Sequence, residues 1–405
     1  MRALLALTLC ACASRAAVPR TTPATPPVKT VELEPMRIDV VSTERGTETR
    51  AYDARSLLDD GNASLMLHRY DEALAAYDHL LADFSDSRLV VPALFNAGQA
   101  LEGKQDWAGA AERYRKLLDR AAPGDETKVD RKNAHFRLAA VLAEAGDFAA
   151  SAAAIEKVLA WDDLAPEERI EGLARLGFAL VQIKEYAGGE EVLRSALAYH
   201  RDIQGTHRLE SPYFVAMAQF YLGEIPHQQF TAIPLRYPEE QMKRDVEQKS
   251  QLFMLARDRY VKTVEYKSPY WATAAVFQVA AMYREFWDHW MAVPIPAGFN
   301  AAEAKEYVKR VNDEPELRRL LEKALYFHEK NVAMARDAGI STGWSQASSA
   351  QADEVRDLLA RQQKGEQVVP GTTTAGATPA ATATPDADSA GRPPTRVYIP
   401  ARFDL

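Results

Sequence analysis

Phe95-Asn96-Ala97-Gly98, answered nine residues after the glycine by Trp107-Ala108-Gly109-Ala110, is the stretch that decides the fold. A small residue followed nine positions later by an aromatic one recurs along the chain. Gly61 stands before Tyr70, Gly98 before Trp107, Ala139 before Phe148 and Gly177 before Tyr186. The aromatic residues are 37, 41 and 38 positions apart. Two antiparallel helices approach closely where one offers a small side chain and the other answers with a large one. Repetition of that arrangement marks stacked helix-turn-helix units. Turn signals fall just ahead of two of the aromatics, at Gly103-Lys104-Gln105-Asp106 and Glu144-Ala145-Gly146-Asp147. Pro166, with Glu167 and Glu168 after it, suits the first turn of a helix.

Working outward, residues 51–203 read as regular repeats. Past Gly205 the regularity fades, but helical composition continues to about Arg361. Helices are expected over Ser211–Gly223, Pro238–Tyr266 and Pro269–Met291. Another opens at Glu314-Pro315 and closes at Gly339, and a last one covers Ser345–Leu359. Residues 204–361 are therefore expected to be degenerate repeats with a helical cap, interrupted by the loop Val293-Pro294-Ile295-Pro296. Tyr283, Phe286, Trp287 and Trp290 share one helix face, and core packing is the favoured reading over a partner patch. The expected fold is all-α, a solenoid of helix-turn-helix repeats with a helical extension. Residues 362–405, rich in Ala, Thr and Pro, lack the apolar side chains of a core and are expected to be disordered.

Composition excludes several functions. The chain has 405 residues with 49 basic and 57 acidic side chains, a net charge of −8, and no concentrated basic surface for nucleic acid. Its two cysteines, Cys10 and Cys12, both lie near the N-terminus, so no thiol or thiolate site forms in the body. Arg2 and the apolar run Ala3–Leu9 read as a targeting segment too short to span a bilayer. Residues 12–50, with Thr21-Thr22-Pro23-Ala24-Thr25-Pro26-Pro27, show no helical period and read as an extended tether, reaching on the order of 35 Å as a coil.

The repeat resembles the tetratricopeptide repeat, whose consensus has a small residue, an aromatic nine later, then Ala and a second aromatic. Ala73 with Tyr77 and Ala110 with Tyr114 complete it in the first two units. Ser151 with Ile155 and Gly189 with Leu193 depart from it, and the intervals exceed the family's usual ~34 residues. The resemblance implies a concave surface, lined by the first helix of each unit, that binds other polypeptides. Counted from the small residue, the positions it assigns to that groove hold Asn62, Phe95, Asn96, Gln99, Phe136, Arg137 and Phe178. Amides there can bond an extended peptide and the phenylalanines can offer apolar pockets. Asn62, Asn96 and Arg137 coincide with three positions of the family's carboxylate clamp. Leu58 and Asn133 replace its two lysines, so a more apolar ligand is implied. The competing reading is that these side chains merely pack or face water.

Leu9-Cys10-Ala11-Cys12 resembles a bacterial lipobox. The resemblance implies removal of residues 1–11 as a signal peptide, a lipid on Cys12 and, with Ala13 next, an anchor in the outer membrane facing the periplasm. Together these features are similar to the repeat lipoproteins of outer-membrane protein assembly and of the gliding machinery of myxobacteria. The partners so implied are proteins of an envelope complex.

Chemistry is weakly signalled. None of the eight histidines belongs to an H-E-x-x-H pair, and no phosphate loop or G-x-S-x-G elbow occurs. Glu285 and His289 could face one another, but their aromatic neighbours suggest packing. Pro226 is expected to keep Glu224 and His227 off one regular helix face. No catalytic residue, metal, cofactor or small-molecule substrate is expected. The alternatives are an enzyme or enzyme accessory acting on peptidoglycan through residues 205–361, and a cytosolic adaptor with an unprocessed N-terminus.

Overall fold

Each aromatic residue that marked the repeat opens the second helix of its unit. In the computed structural model, which describes residues 35–43, 46–121 and 128–371, the first unit pairs α1 (Ala54–Met66) with α2 (Tyr70–Asp83). The second pairs α3 (Val90–Gly103) with α4 (Trp107–Arg120), and the third α5 (Lys128–Glu144) with α6 (Phe148–Leu159). The fourth pairs α7 (Pro166–Gln182) with α8 (Tyr186–Ile203). Between the paired helices the chain turns in one way. His68, Gln105, Gly146 and Lys184, each two residues before its aromatic, adopt φ of 56°, 60°, 81° and 65°. The next amide in each case bonds back to the helix, as from Asp106 N to Leu101 O at 2.9 Å and from Glu185 N to Leu180 O at 2.9 Å. This is a left-handed C-terminal cap, for which glycine is the unstrained residue. Only the third unit uses it.

The small-to-large contact is real and tight. A methyl group on Gly98 would come within 2.6 Å of the Tyr114 ring, and Gly61 and Gly177 stand likewise against Tyr77 and Leu193. Where the small residue is the larger Ala139, the partner is Ile155, and Ser151 Oγ donates to Ala139 O at 2.7 Å. Volume on one helix is balanced by its absence on the next.

The pattern continues past residue 204. Helix α9 (Tyr213–Ala232) pairs with the long α10 (Glu239–Glu265), and a methyl on Gly223 would lie 2.7 Å from the Tyr260 ring. Helix α11 (Pro269–Met291) then packs on α13 (Pro315–Asp337), with α12 (Ala301–Asn312) between them in sequence and α14 (Gly343–Gln363) as a cap. The two stretches share one core. Phe178 of α7 meets Tyr221 of α9 at a centroid distance of 4.7 Å, and Phe220 meets Trp271 of α11 at 5.0 Å. On the α11 aromatic stripe Phe286 and Trp287 are buried and Tyr283 and Trp290 half-buried.

Three expectations about boundaries change. Residues 36–53, assigned almost wholly to the tether, form an antiparallel hairpin of β1 (Met36–Thr43) and β2 (Gly46–Asp53), with Met36 opposite Asp53. It caps the first unit: Tyr52 Oη donates to Asp83 Oδ2 at 2.7 Å, and Asp53 accepts from Ser56 N at 2.7 Å at the start of α1. The tail begins later than residue 362. Val368 exchanges two hydrogen bonds with the Asn312 side chain, and Gly371 N donates to Met291 O at 2.8 Å. Helix α12, capped by the Asn300 side chain, was not anticipated. Residues 1–34, with Cys10 and Cys12, lie outside the described residues, as do 372–405.

Candidate functional site

The positions that the repeat resemblance assigned to a groove act first as joints between units. Asn96 lies two residues before the small residue of its helix and Asn62 one residue after. Asn96 Nδ2 donates to Asn62 Oδ1 at 2.7 Å, and Tyr77 Oη donates to the same oxygen at 2.9 Å. The equivalent positions join later units with different chemistry. Phe178 and Tyr221 pack there with tilted rings, and between α9 and α11 Gln278 Nε2 donates to Glu224 Oε1 at 3.2 Å. Tyr260 Oη also donates to that carboxylate, at 2.5 Å, in the place that Tyr77 holds in the first unit. Units one and five thus build the same three-membered joint.

Burial sorts the predicted residues. Phe95, Asn96, Gln99 and Phe178 are buried, with Asn96 at 0% exposure. Phe95 packs edge-on against Tyr114 at 5.6 Å, and Phe178 against Phe148 at 5.5 Å. Asn62, Phe136 and Arg137 keep partial exposure. Arg137 Nη1 donates to Glu102 Oε2 at 3.1 Å, and Glu102 also accepts from Tyr114 Oη. Burial lowers the Arg137 guanidinium, but the charge of Glu102, with Tyr114 and Glu171, outweighs it and holds the pKa raised. The first-helix face therefore consists of packed joints in which Asn62, Phe136 and Arg137 stay half-exposed.

Sequence reasoning missed the polar centre of α9 to α11. The expectation that Pro226 would part Glu224 from His227 is overturned, because α9 runs through Pro226. A proline removes the bond to the carbonyl four residues earlier. That carbonyl, Leu222 O, accepts instead from Arg259 Nη1 at 2.8 Å. With the helix preserved, His227 Nδ1 lies 3.9 Å from Glu224 Oε1, and Nε2 lies 3.1 Å from Glu285 Oε2 of α11. All three side chains are nearly inaccessible, at 3%, 5% and 2% for Glu224, His227 and Glu285.

Burial lowers the His227 imidazole, but its hydrogen bond to Glu285 and the two carboxylate charges leave its pKa raised. Glu285 is lowered, since the His227 bond and charge overcome the upward push of burial. Glu224 is raised, chiefly by burial. Lys249, 0% exposed, donates to Phe230 O at 2.5 Å and to Ile233 O at 2.9 Å, so it caps the C-terminal carbonyls of α9. Burial pushes it down to about 8. His289 packs against Phe230 with ring centroids 5.9 Å apart, but its Nε2 also lies 3.8 Å from Glu285 Oε1, so it both packs and faces that carboxylate. The signal that could have found this centre is Phe220-Tyr221-Leu222-Gly223 and Phe277-Gln278-Val279-Ala280. Both repeat the Phe-x-x-small pattern of Phe95–Gly98.

Among the described residues no group of three or more His, Cys, Asp and Glu side chains is placed to hold a metal ion. Nor is any described helix long and apolar enough to cross a membrane.

The helix pairing and its repeated joints define an all-α solenoid of tetratricopeptide type. No known family profile matches the chain, and no curated protein does. Among solved structures it is similar to MamA from Desulfovibrio magneticus RS-1, at 17% identity over 51% of this chain and 96% of that one, with a TM-score of 0.34. It is also similar to the apo form of RapI, at 12% identity over 77% and 99% of the two chains, with a TM-score of 0.41. A tetratricopeptide repeat protein from Parabacteroides merdae ATCC 43184 is 12% identical over 76% and 98%, with a TM-score of 0.36. Likeness of this degree carries nothing about partners.

Proposed function

We propose that this chain is a protein-binding scaffold of an envelope assembly, of the gliding machinery or a similar complex, held at the periplasmic face of the outer membrane by a lipid on Cys12. The observation that supports it is the first-helix face. Joints between α1 and α3, α3 and α5, α7 and α9, and α9 and α11 build it, with Phe136 and Arg137 half-exposed on α5. A surface that is apolar and cationic at adjacent positions suits an extended polypeptide. Asn62, Phe136 and Arg137 make the direct contacts in this reading. Phe95, Asn96, Gln99 and Phe178 hold the helices that present them.

A peptidoglycan enzyme would need reacting groups within reach of substrate. Glu224, His227 and Glu285 converge, but they are buried and bonded to one another, which suits a structural role.

Two experiments test the proposal. Cys12→Ala should release the protein from the membrane fraction, and retention equal to wild type would remove the anchor. Affinity purification from crosslinked cells should recover a defined protein that Phe136→Glu with Arg137→Glu loses. Recovery unchanged by that pair would remove the groove.

A further inference from the structure

A second surface lies on the other helices of the fourth and fifth units. Between α8 and α10 is a cleft of about 550 Å³. Arg194 and Arg201 line it from α8, and Arg259 and Lys262 from α10, with Leu197 and Leu222 among the apolar lining. Residues 194, 197 and 201 share one face of their helix, and 255, 259 and 262 one face of theirs. Glu190 holds two of the cations in place, 2.6 Å from Arg194 Nη2 and 2.7 Å from Arg259 Nη2. Arg259 is fixed further by its bond to Leu222 O at 2.8 Å. Glu191 is the one carboxylate in the lining itself. No described carboxylate pairs with Arg201 or Lys262, and both are exposed. In a chain of net charge −8, four cations face two carboxylates here.

We infer that this cleft binds an acidic segment of a partner polypeptide. The inference deepens the scaffold reading and rests on it. Arg201 and Lys262 are the free cations that take the incoming carboxylates, and the two anchored arginines supply a fixed positive field behind them. The apolar lining points to a peptide. Leu197 and Leu222 form its nearly buried floor, and the 44% exposed Leu255, one turn before Arg259 on the same helix face, offers contact beside the cleft to apolar side chains that a small inorganic anion lacks. The cleft volume lies within the range that accommodates ligands of several residues' bulk.

The test uses the full chain and a short fluorescein-labelled peptide of alternating glutamate and leucine, read by fluorescence anisotropy. Its lysine-leucine counterpart and inorganic phosphate serve as comparisons. The wild type is expected to bind the acidic peptide and not the basic one, with affinity falling as salt rises. Arg201→Glu with Lys262→Glu should weaken binding at least ~10-fold, and Arg201→Gln with Lys262→Gln should fall between. Both side chains are exposed, so an unchanged circular dichroism melt is expected. No binding by the wild type, equal binding by the charge-reversed variant, or equal binding of the basic peptide would overturn the inference. Complete displacement by phosphate at the peptide's own concentration would leave a simple anion site and overturn it too. If the peptide fails while crosslinked cells still yield a partner that depends on Phe136 and Arg137, this inference falls and the scaffold stands.

Discussion

Gly98 has room for a hydrogen atom and nothing more, because the Tyr114 ring it faces is buried and tied by its hydroxyl to Glu102. Helix propensity alone favours alanine over glycine by ~1 kcal/mol. Overpacking against a ring that cannot move costs about 1–3 kcal/mol and wins. Gly98→Ala and Gly223→Ala are therefore each expected to lower stability in urea melts. Gly343→Ala, with nothing near its added methyl, should be neutral or slightly stabilising. Pro226 and Arg259 give a second prediction. Arg259→Gln strips Leu222 O of its partner and should cost about 1–3 kcal/mol. In Pro226→Ala the restored amide can take that carbonyl, so the loss from Arg259→Gln should shrink there. A double-mutant cycle showing simple additivity would contradict the compensation.

Burial pushes the His328 imidazole down to about 4, with the charge of Arg284 adding to the shift. The unfolded chain takes up that proton near pH 6.5, whereas the fold resists it until about pH 4. Between those values the unfolded state binds more protons, so stability falls as pH drops. His135 and His289 are pushed down to about 4 in the same way, chiefly by burial. His227, raised, Asp130, pushed up to about 6 by burial, and Glu224, also raised by burial, have the opposite sign and offset part of the slope. The melting temperature should fall from pH 7 to pH 5. His328→Leu should flatten that fall by an amount on the order of 2 kcal/mol at pH 5.

At the scale of helices and turns, the left-handed residue between the paired helices recurs in each of the first four units, with glycine used once. Gln105→Gly and Lys184→Gly should each raise stability by up to ~1 kcal/mol, because their exposed side chains lose little and the backbone loses strain. A drop in melting temperature would mean the turns are unstrained as they stand. Much of this level was legible in the sequence. Tyr70, Trp107, Phe148 and Tyr186 sit at helix starts, and the bounds expected for the helices near 238–266 and 269–291 differ from those observed by a residue or less. The hairpin was missed although Met36, Ile38 and Val40 alternate with polar residues at the period of a strand. The neighbouring proline-rich run, which has no period, masks that alternation. Helix α9 runs past its expected end at Gly223: a proline argues for a stop, and nothing local reveals that an arginine 33 residues on takes the freed carbonyl.

Over the whole molecule, the order of units carries the function proposed. The positions taken from the repeat resemblance fall on the first helices, yet Asn96 bonds to Asn62 across units, as Gln278 does to Glu224 at the equivalent positions further on. A single helix cannot show whether an amide faces a ligand or the next helix, since both lie on the same side. The fifth unit was hard to see because Tyr260 follows Gly223 by 37 positions where Tyr77 follows Gly61 by 16. Its contact is nevertheless the same, so the fifth unit repeats the first. The most direct test places a photo-crosslinking amino acid at Phe136 of the full chain in its native cells. A discrete adduct with another protein is expected, lost when Arg137→Glu is added. An absence of adducts at this position, while the same probe at exposed Tyr326 of α13 yields them, would contradict it.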